Sequence, residues 1–401
     1  MNIRNTIAEC TTTDNNIKIK ENEKMNREKT FCPYRVCPIG AHIDHQFGVV
    51  SGFAIDKGIE VEYEKTSDGS VILTSSDFEK KVEFDVNKPL IKELDWADYL
   101  RGATASLKRN YDLSYGIKAH IKGSLPIGGL SSSAAVIIAF LGTLCRANNI
   151  VLSRSEIVET AFWAENEFVG VNVGKLDQSC EVYSKKNHLL YVDTKDDSYE
   201  LIERHDKMKP FQIAIFFSGL ERNLVGSKFN MRVDELKSAA YALKAFSGIE
   251  YGKFCDTRLR DVPYEVFENY KDRLPENWRK RAEHYYTEFE RVKKGVQAWR
   301  TGDIEAFGKL SFESGHSSIF NYETGSEQLK KIHEIMLETE GIYGGRFSGA
   351  GFKGCAMALV NPDYKEKIEF EVTQKYLKEF PKLEGRFGVY FADTADGIIL
   401  N

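Results

Sequence analysis

Four side chains with chemical potential fall within residues 35–45: Arg35, His42, Asp44 and His45. They lie in FCPYRVCPIGAHIDHQFGVVSGFAIDKG (residues 31–58), where two prolines and four glycines indicate shaped loops rather than regular structure. An arginine can hold an anion, an aspartate can accept hydrogen bonds from hydroxyls, and a histidine can do either. An ordinary Arg35–Asp44 ion pair is the plainer reading. A second group is GSLPIGGLSSSAA (residues 123–135), in which three serines follow a glycine-rich loop. Glycines let backbone approach a ligand closely, and the first turn of a helix presents free N–H groups at a positive dipole end. Such a junction suits phosphate, and serine hydroxyls add donors or a Mg²⁺ ligand. Its plainer reading is a serine-capped core helix. The third group is GVNVGKLDQSC (residues 170–180) with one acid, Asp177, and the fourth is GRFSGAGFKG (residues 345–354). Three glycine loops and one acid loop together point to a converged site for a phosphorylated ligand.

The elements that must position these groups are legible from periodicity. Residues 117–122 (IKAHIK) alternate like a strand, and residues 134–144 are almost wholly apolar and predict a buried helix. The central loop therefore joins strand to helix. Ser153 and Glu156 have capping-box spacing and start a helix to about residue 168, which carries Glu165 and Glu167 and stops at Gly170. Before the loop, residues 59–63 and 71–75 flank Ser67-Asp68-Gly69 and predict a hairpin, with a third strand at 81–86 and a helix at 96–110. A strand at 188–193 follows the acid loop. A second block opens at residues 211–217 (FQIAIFF). It continues with helices at 232–246, 278–301, 304–314 and 327–339, the last capped by Ser326. A hairpin of 343–348 with 355–360, a helix at 365–380 and a strand at 388–391 complete it. The boundary falls at residues 207–210, giving a polar segment 1–30, a domain 31–207 and a domain 208–401.

Composition narrows the function classes. With 401 residues, 42% hydrophobic and 29% charged, the chain is long enough for two or three packed domains. A net charge of −5 without a long basic run argues against nucleic-acid binding. No apolar run is long enough to span a bilayer and no secretory signal follows Met1, so a cytoplasmic protein without a membrane partner is expected. The seven cysteines are scattered, with no C-x-x-C, and predict free thiols rather than disulfides or a zinc site. Residues 1–29 are polar and expected to be mobile. The glycine loops are not a Walker P-loop, a protein-kinase loop or a dinucleotide fingerprint.

The set of motifs resembles the galactokinase, homoserine kinase, mevalonate kinase and phosphomevalonate kinase (GHMP) superfamily. Its P-x-x-x-G-L-S-S-S-A motif resembles Pro126, Gly129, Leu130, Ser131, Ser132, Ser133 and Ala134, here one residue shorter between proline and glycine. The R-x-x-x-I-G-E-H-x-D-Y motif resembles residues 35–45, and A-E-x-E-F-x-G with G-x-x-D-Q resembles 164–170 and 174–178. The G-x-G-F-x-G loop resembles 349–354. The motifs run in the family's order from about residue 31 onward. The resemblance implies a two-domain α+β fold: an N-terminal mixed α/β domain, a C-terminal ferredoxin-like domain, and the active site in the cleft between them. It implies an ATP- and Mg²⁺-dependent sugar kinase; monomer and dimer are both left open.

Residue by residue, the resemblance implies Asp177 and Arg35 as catalytic groups. It places ATP on Gly123, Pro126, Gly128, Gly129, Leu130, Ser131, Ser132, Ser133 and Ala134. Glu165 and one of the three serines, Ser132 foremost, are the expected Mg²⁺ ligands. The sugar would meet Ala41, His42, Asp44, His45, Gly174, Phe229 and Ala350. Galactokinases carry Glu where Ala41 stands, facing the C6 group of the sugar. Loss of that acid removes repulsion against a C6 carboxylate. With His45 for the family's Tyr and Ala350 in SGAGF, the chain is similar to the galacturonokinase branch, which implies D-galacturonate phosphorylated at C1. His42 or His45, or else Lys57 or Lys175, is then expected to meet the carboxylate. Phe229 stands where related enzymes place a Tyr. A galactose kinase, or a non-catalytic sensor of the same fold, are the alternatives.

Overall fold

The computed structural model describes residues 27–126, 128–220, 229–351 and 353–399. The polar segment expected to be mobile lies largely outside them, as does Phe352 of the C-terminal glycine loop.

The first half builds one sheet with helices on it. In chain order its elements are β1 (Glu28–Val36), β2 (Val49–Thr66), β3 (Ser70–Ser75), β4 (Val82–Asp85), α1 (Asp98–Leu107), β5 (Gly116–Gly123) and α2 (Ser132–Asn148). Then come α3 (Arg154–Trp163), α4 (Leu176–Tyr183), β6 (His188–Asp193) and β7 (Ser198–Glu203). The strand order is β4-β3-β5-β2-β6-β7, and β1 pairs with β2. The expected β2–β3 hairpin does not form. The Asp68-Gly69 turn is present, with Asp68 Oδ1 accepting from Ser70 N at 2.9 Å, but β5 lies between the two strands. It pairs antiparallel with β2 and parallel with β3. The crossover through α1 delivers β5 into that gap, where Ile117, Ala119 and Ile121 are buried. A local turn signal specifies the reversal and not the partner.

α2 is buried along most of its length, as its near-continuous apolar run requires. α3 begins with the complete Ser153–Glu156 capping box. It does not run as α-helix to residue 168. From Ala164 to Val169 the turn widens to a π-helix, which ends at Gly170 with φ 84°. Widened turns of this kind re-aim side chains, and this one carries Glu165.

The second half contains β8 (Gln212–Phe217), α5 (Phe229–Ser247), α6 (Tyr264–Tyr270), α7 (Glu276–Arg300), α8 (Ile304–Phe320) and α9 (Glu327–Leu337). It continues with β9 (Ile342–Phe347), β10 (Cys355–Val360), α10 (Lys365–Glu379), β11 (Gly388–Ala392) and β12 (Thr394–Ala395). Its sheet has the order β11-β8-β10-β9 and is antiparallel throughout. The β9–β10 hairpin forms as periodicity predicts, and Ser326 caps α9 by accepting from Leu329 N at 3.3 Å. β12 leaves this half and pairs with β2 of the first sheet. Cys32, Cys37, Cys145, Cys180, Cys255 and Cys355 are all free thiols. Among the described residues no helix is long and apolar enough to cross a membrane.

Candidate active site

A cavity of about 460 Å³ opens between the two halves. Its floor is the pair Arg35 and Asp177. Arg35 sits near the end of β1, just past a register shift between Pro33 and Arg35 that breaks the strand's alternation. Asp177 sits in the first turn of α4. Arg35 Nε and Nη2 reach Asp177 Oδ1 at 2.8 and 2.7 Å, and the Ser131 hydroxyl donates to Oδ2. Arg35 is buried, and its Nη1 donates to Ser348 Oγ at 3.3 Å. Burial alone would lower the guanidinium pKa, but Asp177 more than offsets it and Arg35 stays cationic. The Asp177 side chain keeps about a fifth of its surface open (21%), so its carboxylate is available to a ligand. Arg35 thus partners Asp177 and not Asp44, which excludes the simple Arg35–Asp44 pair.

Two glycine loops from opposite halves meet beside this pair. Gly129 has φ 84°, and a Cβ there would lie 2.9 Å from Cys355 N. A Cβ on Gly354 (φ 96°) would lie 2.7 Å from the Gly128 carbonyl carbon. Glycine on both sides is therefore what lets the loops touch. Gly128, Gly129, Ser131, Ser132 and Ser133 line the cavity, whereas Gly123, Pro126, Leu130 and Ala134 lie outside its lining and support the loop from behind. Ser131 has left-handed backbone (φ 59°) and precedes α2, so Ser132 and Ser133 occupy the first turn. The Ser131 hydroxyl is already engaged by Asp177.

Glu165 also lines the cavity and accepts from Gln178 Nε2 at 2.9 Å. Among the described residues no cluster of three or more His, Cys, Asp or Glu could hold a metal ion. A buried carboxylate with serine hydroxyls at a helix N-terminus is instead the oxygen-donor set that suits Mg²⁺ carried on phosphates.

On one side the cavity is lined by Ala41, His42, Asp44, Gly174, Phe229, Phe347, Gly349 and Ala350. Asp44 Oδ2 accepts from Leu176 N at 3.3 Å, one residue before Asp177. Burial, and then the Asp177 charge, push the Asp44 carboxyl up to about 6. His42 stacks on Tyr322 at 4.4 Å, and its Nε2 lies 3.1 Å from Gly349 O. Burial, followed by Arg346 and His284, holds His42 well below its usual pKa, so it is neutral. With Nε2 donating to the carbonyl, Nδ1 is left as a buried acceptor without a partner. His45 lies behind the lining, against Tyr322 Oη at 3.3 Å and edge-on to Phe229. Burial pushes it down to about 3. Both histidines are therefore neutral. Lys57 pairs with Asp56, and Lys175 with Glu159 and Asp197, outside the lining. Among the described lining residues the cationic side chains are Arg35 and Lys92, and Lys92 donates to Val169 O at 2.5 Å.

The other side carries an aromatic and aliphatic wall, with Ser75, Asp77, Asp95 and Asp98 also in its lining, and was not legible as a site. Phe78 and Trp96 stack at 5.5 Å, and Leu94, Tyr99, Ile121 and Val136 extend this wall. A flat aromatic surface beside a phosphate loop suits a purine ring. The available signal was Trp96, two residues before α1, and Tyr99 in its first turn, both of which periodicity alone assigns to helix.

The chain is similar to known proteins along most of its length. Residues 98–185 match the family model "GHMP kinases N terminal domain", and residues 293–378 match "GHMP kinases C terminal". A galacturonokinase of Arabidopsis thaliana is 39% identical over 394 residues, covering 92% of each chain. A galactokinase of Thermococcus kodakarensis is 34% identical over 355 residues, covering 88% of this chain and 95% of that one. The crystal structure of Lactococcus lactis galactokinase complexed with galactose superposes with a TM-score of 0.83 at 29% identity, covering 94% of this chain and 96% of that one.

Proposed function

The chain belongs to the GHMP kinases and is an ATP-dependent sugar kinase, and on that premise we propose that it transfers the γ-phosphoryl group of ATP to the C1 hydroxyl of D-galacturonate. The observation that carries the choice of sugar is Ala41, a methyl group in the lining where galactokinases carry an acid. At that point a substrate carboxylate meets a methyl group in place of the acid.

In this reading Asp177 accepts the C1 hydroxyl through an open lone pair and takes its proton as the bond to phosphorus forms. Arg35, bonded to Asp177 Oδ1, orients that carboxylate and stabilises charge on the transferring group. Ser131, bonded to the other carboxylate oxygen, fixes its rotation. Asp44 and Nδ1 of neutral His42 are acceptors and hold ring hydroxyls. The free N–H groups around Gly128–Ser133 cradle the phosphates, and the Phe78–Trp96 face takes the base. Glu165 and Ser132 would hold Mg²⁺, which neutralises phosphate charge when bound. We take the two halves as domains meeting near residue 207, and the protein as cytoplasmic.

One observation favours a second reading. The sugar side offers neutral His42 and His45, and the cations lining the cavity are engaged elsewhere, Arg35 by Asp177 and Lys92 by Val169. That arrangement suits neutral galactose. An ATP-consumption assay on galacturonate, glucuronate, galactose and N-acetylgalactosamine separates the two. The highest kcat/KM on galacturonate supports the proposal, and the highest on galactose overturns it.

A further inference from the structure

Residues 37–48 carry Ala41, His42 and Asp44, yet they belong to no long helix or strand. Ser51 and Thr194 bond their backbone from the first half, at Ile39 O, Asp44 O and Gly48 O, and further support comes from α7, in the other half of the molecule. One stripe of α7, residues 284, 288, 292 and 295, meets three consecutive loop residues. Gly295 has a notch filled by Ile39, whose Cδ1 would lie 2.7 Å from a Cβ at that position. Gly40 has φ +105°, and its Cβ position lies 3.0 Å from Val292 Cγ2. The Gly40 N–H donates to Glu288 Oε1 at 2.6 Å. The Ala41 carbonyl is 3.1 Å from His284 Nε2.

Glu288 is the centre of this contact. It is fully buried, accepts from Ser314 Oγ at 2.5 Å, and pairs with Arg291 and with Arg346 at 3.6 Å. Burial would raise its pKa, but Arg291, His284, Arg346 and the Ser314 hydroxyl outweigh that and hold it low. Arg346 stands on β9 two residues before Ser348, the acceptor of the Arg35 Nη1 bond. A single carboxylate thus joins the backbone of the sugar-side loop to the strand leading to the partner of Arg35. Glu288 itself is outside the cavity lining.

We infer that Glu288 is a positioning residue: it sets the place of Ala41, His42 and Asp44, and so acts on the acceptor sugar and not on the nucleotide. This rests on the reading of residues 41–44 as the sugar side.

The test uses the full chain with Glu288→Gln, which keeps one acceptor for Gly40 N–H and loses the charge, and Gly295→Ala, which crowds Ile39 without touching any charge. Steady-state kinetics should give a sugar KM raised about tenfold in both, the size of one lost contact of about 1.4 kcal/mol. ATP KM should stay within about twofold, the split expected when only acceptor binding is disturbed. Sugar and ATP KM rising together, or neither moving, overturns the inference. Amide exchange is read in parallel on Glu288→Ala. Exchange should rise at Gly40 and its neighbours while residues 128–134 are unchanged; equal change in both loops means a general loss of structure and overturns it. If wild type turns over none of the sugars, the functional reading fails, while the exchange comparison still decides whether Glu288 holds the loop. If Glu288→Ala does not fold, Glu288→Gln and Gly295→Ala carry the decision.

Discussion

Gly174 lies flat against the carboxylate of Asp44: a Cβ on Gly174 would stand 2.3 Å from Asp44 Oδ2. No real Cβ tolerates that distance, so any side chain at 174 must push Asp44 away. Gly174→Ala should raise the sugar KM by about tenfold to a hundredfold, the cost of misplacing a binding group by around 1 Å. ATP affinity should be nearly unchanged. Separate titrations of the two substrates check it, and a variant with wild-type sugar KM would show that Asp44 holds no substrate.

Asp177→Asn keeps the shape of the floor and removes the proton acceptor. Turnover should fall about 10²–10⁴-fold, the usual worth of a general base. ATP binding, measured by calorimetry, should persist. Near wild-type turnover would leave Asp177 with a structural role only.

The raised Asp44 carboxyl gives a pH dependence with a defined sign. To accept hydroxyls Asp44 must be ionised, so sugar KM should fall as pH rises through about 6. Stability runs the other way. The folded state holds this proton more tightly than the unfolded chain, so the contribution is present below the ordinary carboxylate value and is lost as pH rises through about 6. Asp44→Asn should flatten the stability profile, raise the Tm at pH 7 relative to wild type, and weaken sugar binding at every pH. Melting curves and KM at pH 5, 6, 7 and 8 check both signs.

Ala41→Glu tests the choice of substrate. A second carboxylate about 4 Å from that of galacturonate costs about 4 kcal/mol at an effective dielectric near 20, before relaxation and screening. A third of that lowers galacturonate kcat/KM about tenfold. Galactose, whose C6 hydroxyl can donate to Glu, should be spared. If the ratio of the two efficiencies does not fall, residue 41 does not face C6.

The order of the motifs made much of this site legible before any coordinates. Asp177 and Arg35 are 142 residues apart, and only their matched motifs joined them. The phosphate loop was readable because strand, glycines and serines have local causes. Other features depend on what lies opposite. The Ser67-Asp68-Gly69 turn could not reveal that β5 would take the place beside β2. The spacing of His42 and His45 put both near the sugar, but burial and the Tyr322 ring decide that one lines the cavity, the other backs it, and neither is charged. Phe78, in the loop between β3 and β4, meets Trp96, in the loop between β4 and α1, only through the fold. Nothing in the spacing of α7 announces that His284 and Glu288 reach back to Ala41 and Gly40.

The pairing of β12 with β2 makes the second half an insertion between two strands of the first sheet. Two covalent crossings, after β7 and before β12, tie the halves together. During translation the first sheet therefore lacks one of its strands until residues 394–395 have left the ribosome, long after β1 to β7 have emerged. Once both crossings are in place, Trp299 of α7 packs on Phe53 of β2 with ring centroids 5.2 Å apart, so the two halves close over one shared core.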